Sequence, residues 1–347
     1  MDKKPTIDDV ARVAGVARAT VSRVLNASPN TSERVRERVM KAVNDLNYQV
    51  NHQARQLASG TNRLLAVIFA ADADAEPNSY YHSAIELGAM RACSELGFGL
   101  VTHTLDPAAE PDRSRILTLA DKSRCDGLVL TPPFSDDDAL IIALQERGFP
   151  FVLISAGPDA RRLSCSVGID DRQAGFELGS HLLRKGHRRF AFISGPRDHK
   201  SAALRLQGFL DALVGAGLAD DAIVIAEGNF TFKSGIDLAG RLLTGSDRPT
   251  ALVCANDDMA AGALFTAHRL GLNVPADLSI TGFDDTPVSQ IVWPPLTTIH
   301  QPLRQIGSRA IELLVASVVQ ENGTSDPAGE EHLVPFHLVE RGSSAQR

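Results

Sequence analysis

The sequence has no apolar run long enough to cross a bilayer. Its longest, Leu64 to Ala71, falls far short of the ~20 residues a spanning helix needs. It also shows no secretory leader: Met1-Asp2-Lys3-Lys4-Pro5 runs into Asp8-Asp9 rather than into an apolar core. The four cysteines, Cys93, Cys125, Cys165 and Cys254, form no C-x-x-C pair and sit in apolar or strand-like surroundings. That argues against a metal site or a disulfide framework and predicts reduced core thiols in a cytoplasmic protein. No G-x-G-x-x-G follows a strand-like run, and G-x-x-x-x-G-K-S/T, H-E-x-x-H and G-x-S-x-G are absent. The expectation is therefore a protein that is not an enzyme and holds no metal or cofactor.

What is present is an ordinary globular composition, 44% hydrophobic and 22% charged over 347 residues, enough for two or three domains with cores of their own. The charge is unevenly spread. Residues 1–63 carry eleven Lys/Arg against six Asp/Glu, a net of +5, while the remainder carries 24 against 36, a net of −12. A small basic head on a large acidic body points to a head that meets a polyanion. A solvated basic surface would give the same balance.

Thr6-Ile7-Asp8-Asp9 has the form of a capping box. Ile7, Val10, Ala11 and Ala14 then make one apolar helical face, and Gly15 supplies the left-handed turn that ends it. A second helix is predicted from Arg18 to Asn26, burying Val21, Val24 and Leu25. A third starts at Ser32 and buries Val35, Val39, Ala42, Val43 and Leu46. Two short helices around a glycine turn, closed by a third, form a helix-turn-helix unit whose second helix enters the major groove. Arg18, Ala19, Thr20, Ser22 and Arg23 would face outward there, Arg toward guanine edges, Ser and Thr toward phosphates or bases. A plain helical bundle with an Arg-rich face fits the same periodicity.

The string Thr6-Ile7-Asp8-Asp9-Val10-Ala11, Ala14-Gly15-Val16, Thr20-Val21-Ser22-Arg23-Val24-Leu25-Asn26 closely resembles the DNA-binding head of the lactose-repressor (LacI/GalR) family. The resemblance implies DNA contacts at Thr6, Arg18, Ala19, Thr20, Ser22, Arg23 and Asn26. One departure stands out: the family usually has Ser where this chain has Ala17, which cannot cap the recognition helix. The segment 48–61 resembles the family's hinge helix, with Ala54 and Leu57 as its Ala-x-x-Leu signature and Asn51 before it. By that resemblance Leu57 from two subunits wedges into the minor groove. A helix this short is unstable alone and is expected to order on DNA. Val50 replaces the proline common at the break between third helix and hinge.

From Leu64 onward, short apolar runs alternate with amphipathic stretches. The runs are Leu64–Ala70, Leu100–Leu105, Gly127–Thr131, Phe151–Ala156, Arg189–Ser194, Ile223–Glu227, Ala251–Ala255 and Ser279–Phe283, with a last strand at Leu333–Glu340. The order predicts parallel sheets with helices on both faces, in two similar lobes. Asp126-Gly127-Leu128, Gly186-His187-Arg188, Arg205-Leu206-Gln207-Gly208-Phe209, Ala255-Asn256-Asp257, Gly282-Phe283-Asp284-Asp285 and Pro295-Leu296-Thr297-Thr298-Ile299 resemble the family's effector-binding core, itself similar to periplasmic sugar-binding proteins. The implied fold is an all-α helix-turn-helix head (1–47), a hinge (48–61) and an α/β periplasmic-binding-protein-like core (62–347) of two doubly wound parallel-sheet subdomains. These would be an N-subdomain of about 62–168 plus 302–332 and a C-subdomain of about 169–298 plus 333–347.

The cleft is expected at the carboxyl ends of the strands. Tyr80, Tyr81, His199, Ser201, Arg205, Phe230, Asn256 and Asp284 fall there. Such planar polar groups and aromatic faces suit a polyhydroxy ligand. Asp257 could equally be the cap of a helix over Met259–Leu270, and Asp285 a turn residue. The expectation is a homodimeric, allosteric repressor that binds a near-palindromic double-stranded operator and is released by a mono- or disaccharide. A co-repressor-dependent regulator answering to a nucleobase or other non-sugar metabolite is the alternative, and a solute-binding protein a weaker one. Neither a membrane partner nor a heptad tail for a tetramer is expected.

Overall fold

The computed structural model describes residues 5–25, 31–46, 48, 62–70, 79–107, 110–245, 248–319 and 329–347. Asn26, Asn51, Ala54 and Leu57, and with them the expected hinge beyond Tyr48, lie outside the described residues. The chain divides into two units, Met1–Thr61 and Asn62–Arg347.

The first unit holds α1 (Ile7–Ala14), α2 (Arg18–Leu25) and α3 (Glu33–Asp45). Thr6 caps α1 in a reciprocal box with Asp9, and Gly15 ends it at φ 61°, a backbone region that favours glycine. The Arg38 guanidinium reaches from α3 to the carbonyls of Ala14 and Gly15, at 2.6 and 3.1 Å, satisfying acceptors that α1 leaves open. Val10, Ala14, Val21, Val24, Val39 and Ala42 form the buried core, the faces set by the helical spacing of the sequence. Val35, Val43 and Leu46 pack at its edge, half-buried.

The second unit begins with β1 (Leu64–Ala70), α4 (Ser79–Leu96), β2 (Gly99–Leu105) and α5 (Glu110–Leu119). It continues with β3 (Gly127–Leu130), a 3-10 turn at Phe134–Asp136, α6 (Asp138–Glu146), β4 (Phe151–Ile154), α7 (Pro158–Leu163) and β5 (Ser166–Gly168). Then come α8 (Asp171–Arg184), β6 (Phe190–Ser194), α9 (Lys200–Gly215), β7 (Ile223–Glu227), α10 (Phe232–Leu242), β8 (Ala251–Cys254), α11 (Asp257–Arg269) and β9 (Ser279–Thr281). The chain closes with α12 (Val288–Ile291), β10 (Thr298–His300), α13 (Leu303–Val319), β11 (Glu331–Leu333) and β12 (His337–Val339).

Two parallel sheets result, one in each lobe. The first has strand order β11-β5-β4-β3-β1-β2 and the second β7-β6-β8-β9. Both reverse direction of winding beside their first strand, between β1 and β3 and between β6 and β8. This is the doubly wound arrangement in which a crevice opens at the carboxyl ends. The central strands β3, β4 and β8 are buried along their whole length, as strands covered on both faces must be. The chain passes between lobes after β5, between β10 and α13, and between β11 and β12. The expected single strand Leu333–Glu340 is in fact two: β11 completes the first sheet and β12 pairs antiparallel with β10. Pro335 stands between them, with no N–H to give to a ladder. The C-terminal residues are pinned to the second lobe. Ser343 Oγ accepts from Thr297 N–H at 2.8 Å, and Arg347 N–H donates to the Lys185 carbonyl at 2.8 Å. All four cysteines are buried with no disulfide between them, and no described helix is long and apolar enough to cross a membrane.

Candidate functional site

The head presents one polar face on α2. Arg18, Ala19 and Arg23 are exposed and Thr20 and Ser22 half-buried, while Val21 and Val24 face the core. Helical spacing dictates this division, since 19, 22 and 23 lie opposite 21 and 24, with 18 at the margin. Arg18 makes only a loose pair with Asp8, 3.9 Å apart with both side chains exposed, a contact worth little in water. Ala17 gives its carbonyl to Thr20 and Val21 N–H at 2.8 and 3.2 Å, but its methyl cannot cap the amides of the first turn. Thr6 is engaged elsewhere: its hydroxyl donates to Asp9 at 2.8 Å and accepts from the Asp9 amide at 3.4 Å. Arg12 and Thr6 together hold the Asp9 carboxyl down to about 2.

In the second unit the expected ligand residues fall at strand ends, and a subset converges. Arg205, on α9, is buried and stacks 3.9 Å over the Phe283 ring. Its Nε donates to Asp171 Oδ1 at 2.8 Å and an Nη donates to the Ala255 carbonyl at 2.9 Å. Asp284 Oδ1 lies 3.8 Å from the guanidinium and accepts from Gln301 Nε2 at 2.6 Å. The Tyr81 hydroxyl is hydrogen-bonded to the Ser155 side chain and sits in the field of Arg205, Asp284 and Asp171.

Burial sets the electrostatics. Asp284 is pushed up to about 7 by burial, against the pull of Arg205 and Gln301. Asp171 is raised by burial, opposed by Arg205. Burial disfavours the Arg205 charge, but the two carboxylates more than restore it, so its net shift is upward. The Tyr81 hydroxyl is pushed up by burial. Two buried acceptor atoms here, Asp171 Oδ2 and Gln301 Oε1, have no hydrogen-bond partner. An orphaned buried acceptor is costly unless something donates to it.

Rings line the same region. His82 stacks on Phe69 at 4.4 Å, with Tyr81 edge-on at 5.9 Å. Burial lowers His82 to about 4, so it is neutral at pH 7. Across the cleft His199 packs edge-on to Phe230 at 5.2 Å. Tyr80 and Tyr81 belong to the first turn of α4. Ser201 is buried in the first turn of α9.

Asn256 has partners within the protein. Its Oδ1 caps α11 by accepting from Met259 N–H at 3.0 Å, and its Nδ2 donates to the Phe230 carbonyl at 2.8 Å. Both ends of the amide are thus used within the protein, and Asn256 positions Phe230. The expectation that Asp257 could cap this helix is corrected by the same geometry. Asp257 is already the first helical residue, so its buried carboxylate ties instead to Thr298 Oγ1 and Thr286 N–H, both at 2.7 Å.

Sequence reasoning missed Asp171, Gln301 and Ser155. Backbone strain marks several of these places. Of the described non-glycine residues with positive φ, Ser155 (50°), Phe230 (65°), Asp284 (100°) and Asp285 (56°) all follow sheet strands at the carboxyl end. Side chains held in that region cost free energy and concentrate at functional sites.

The family profile described as bacterial regulatory proteins, lacI family, matches residues 6–51, and that of a periplasmic binding protein-like domain matches residues 180–344. The chain is 32% identical over 317 residues to the HTH-type transcriptional repressor PurR of Photobacterium profundum, covering 91% of this chain and 93% of that one. It is 34% identical over 346 residues to the HTH-type transcriptional regulator CelR of Thermobifida fusca, covering 98% of both. Among solved structures, the CelR–cellobiose complex superposes with TM-score 0.72 at 32% identity, over 98% of this chain and 99% of that one. The Lac repressor dimer bound to operator and the anti-inducer ONPF superposes with TM-score 0.81 at 29% identity, over 99% and 100%.

Proposed function

The chain belongs to the lacI family of bacterial regulatory proteins, and from that premise we propose a repressor that is released from its operator by a small sugar. It is a DNA-binding transcriptional regulator with a helix-turn-helix head and a two-lobed α/β core. The observation that carries the DNA-binding reading is the exposed Arg18–Arg23 face of α2 over a buried valine core. Arg18 reads a guanine edge, Ala19 makes apolar contact, and Thr20, Ser22 and Arg23 hold phosphates or bases.

Two copies act together on a near-palindromic site. Ile291 and Trp293 stand 79% and 80% exposed in the single chain, apolar surface that a second copy would cover. The hinge residues Asn51, Ala54 and Leu57 contribute to DNA contact only in such a dimer.

The sugar reading is supported by the donor–acceptor balance of the cleft. Asp171 Oδ2 and Gln301 Oε1 are buried acceptors without donors, and Asp284 beside Arg205 is a third acceptor. Vicinal hydroxyls supply donors to all three, and the Phe69–His82 and His199–Phe230 rings offer faces to an apolar sugar surface. A nucleobase co-repressor is the second reading, because ring N–H groups serve the same acceptors and a flat ligand suits the same rings. A ligand that closes the lobes differently from the free state shifts the operator-binding equilibrium.

The test is selection of duplexes from a random library, followed by anisotropy titration of the chosen site. The expected product is an inverted repeat whose affinity falls steeply with salt. Arg18→Ala is expected to relax preference at one position in each half-site. Cellobiose, a monosaccharide panel and hypoxanthine are then added. Release by a sugar supports the first reading, tighter binding with hypoxanthine the second, and failure to select any duplex refutes both.

A further inference from the structure

Helix α9 carries Ser201 and Arg205, so whatever fixes its first turn fixes half of the cleft. Its own cap residue, His199, makes no side-chain cap bond; the His199 Nδ1 is turned to Asp198 at 3.0 Å. The missing acceptor comes from the other lobe. Asp136 ends the 3-10 turn after β3, in the first lobe. Its Oδ2 accepts from the Lys200 N–H, the first of α9, at 3.0 Å, and its Oδ1 accepts from the Gly157 N–H at 2.6 Å. One carboxylate therefore joins the end of β4 in one lobe to the start of α9 in the other. Negative charge at a helix start also complements the helix dipole.

The fit is close. A Cβ built on Gly157 would lie 2.6 Å from the Lys200 Cβ, a contact that forces movement. Gly157 itself has φ −75° and ψ 170°, a backbone any residue adopts. Glycine is required here by the approach of the two lobes, not by its own conformation.

We propose that Asp136 is a positioning residue for the effector site, a cap lent to α9 across the cleft that holds Ser201 and Arg205 opposite Tyr81 and favours the closed arrangement of the lobes. When the lobes separate, α9 loses its cap and the carboxylate loses a donor, so closure and the placement of Arg205 change together. This rests on reading the cleft as the effector site, but the latch itself acts before any ligand arrives.

Three variants of the full chain separate the possibilities. Asp136→Asn removes the charge and one acceptor. Lys200→Pro removes the N–H donor together with the lysine side chain, at the first helical position, where proline is tolerated. Gly157→Ala leaves the carboxylate intact and blocks the approach. In the ligand-free protein all three are expected to enlarge the radius of gyration in small-angle scattering. They are also expected to speed amide exchange in residues 196–206 roughly tenfold, the weight of one charge-assisted hydrogen bond. Combining Asp136→Asn with Lys200→Pro gives less than the sum of the two, since both act on the Asp136–Lys200 contact. Cellobiose affinity falls by a similar factor in each. An unchanged radius and exchange in Asp136→Asn and Lys200→Pro would overturn the latch. So would a response to those two with none to Gly157→Ala, which would reduce Asp136 to a local cap. If wild-type protein ignores cellobiose and the monosaccharide panel alike, the sugar reading fails, while scattering and exchange still decide the latch.

Discussion

Removing the Arg205 cation is the most exacting test of the electrostatics of the cleft. In Arg205→Met the side chain keeps its bulk over Phe283 but leaves Asp171 and Asp284 buried without the guanidinium that faces both, at 2.8 and 3.8 Å. Breaking a buried pair by removing one partner costs about 3–5 kcal/mol. For a body of this size, at about 2 °C per kcal/mol, that corresponds to a fall in Tm of roughly 6–10 °C for its unfolding transition. The sign of the pH dependence follows from the carboxylates. Asp284 already titrates at about 7 against an ordinary 3.8, so its ionised form is the strained one in the folded chain. Stability tied to its proton is fully present below the unfolded value and lost as pH rises through the folded one. Without Arg205 both carboxyls move further up, and the loss grows between pH 5.5 and pH 8. Differential scanning calorimetry at those two pH values reads this directly, and adding Asp284→Asn should recover part of the loss at pH 8. A fall of less than about 2 °C at pH 8, below the ~1 kcal/mol level, would refute the buried-triad argument. A fall of the same size at both pH values would refute it too.

Three further outcomes follow from the same geometry. A sugar hydroxyl donating to Asp284 favours its ionised form, so with a value near 7 affinity should rise roughly tenfold between pH 6 and pH 8 and then level off; calorimetry in buffers of different ionisation enthalpy should register a released proton near pH 7, and a flat profile would remove Asp284 from the contact. Ala17→Ser should stabilise α2 by about 1 kcal/mol, slowing exchange of the Ala19 and Thr20 amides about fivefold by nuclear magnetic resonance, with no change if the first turn is already satisfied. Trp293→Asp should yield monomers in sedimentation velocity and weaken operator binding; an intact dimer would place the two-fold interface elsewhere.

Much of the architecture was legible because it is local. Helical spacing named the buried faces of α1 and α2, and runs of Val, Leu, Ile and Phe named β1, β3, β4, β6 and β8 to within two residues. The Thr6 and Asp9 capping box and the Gly15 turn stand as expected. What escaped was set by distant partners. Ser166–Gly168 and Thr298–His300 are three residues each, too short to show a period, and are strands only because a neighbour pairs with them.

The cleft shows the same division at the scale of single residues. Four pairs of adjacent acids or amides stand at or next to strand ends, and each pair splits. Asp137 caps α6 through the Leu140 amide while Asp136 reaches Lys200. Asp170 caps α8 through the Gln173 amide while Asp171 takes Arg205. Asn256 caps α11 while Asp257 takes Thr286 and Thr298. Asp284 turns to Gln301 while Asp285 takes Arg341 at 2.6 Å and His300 at 3.0 Å. Adjacent side chains must diverge, so in three of the four doublets one member caps its own helix while the other makes a long-range tie, and in the fourth Asp284 and Asp285 tie to different distant residues. Which member does which depends on the residue at which the helix begins, and a shift of one position exchanges the roles. The sequence therefore marks where the cleft acids lie without saying which of each pair faces the ligand. That one-residue ambiguity is why Asp257 stood equally as a cap or a ligand contact and Asp171 was passed over. It also makes the assignments separable: Asp170→Ala should destabilise α8 alone, whereas Asp171→Ala should abolish effector binding while α8 persists. Binding lost equally in both would mean that the doublet acts as a unit and that the division of roles is wrong.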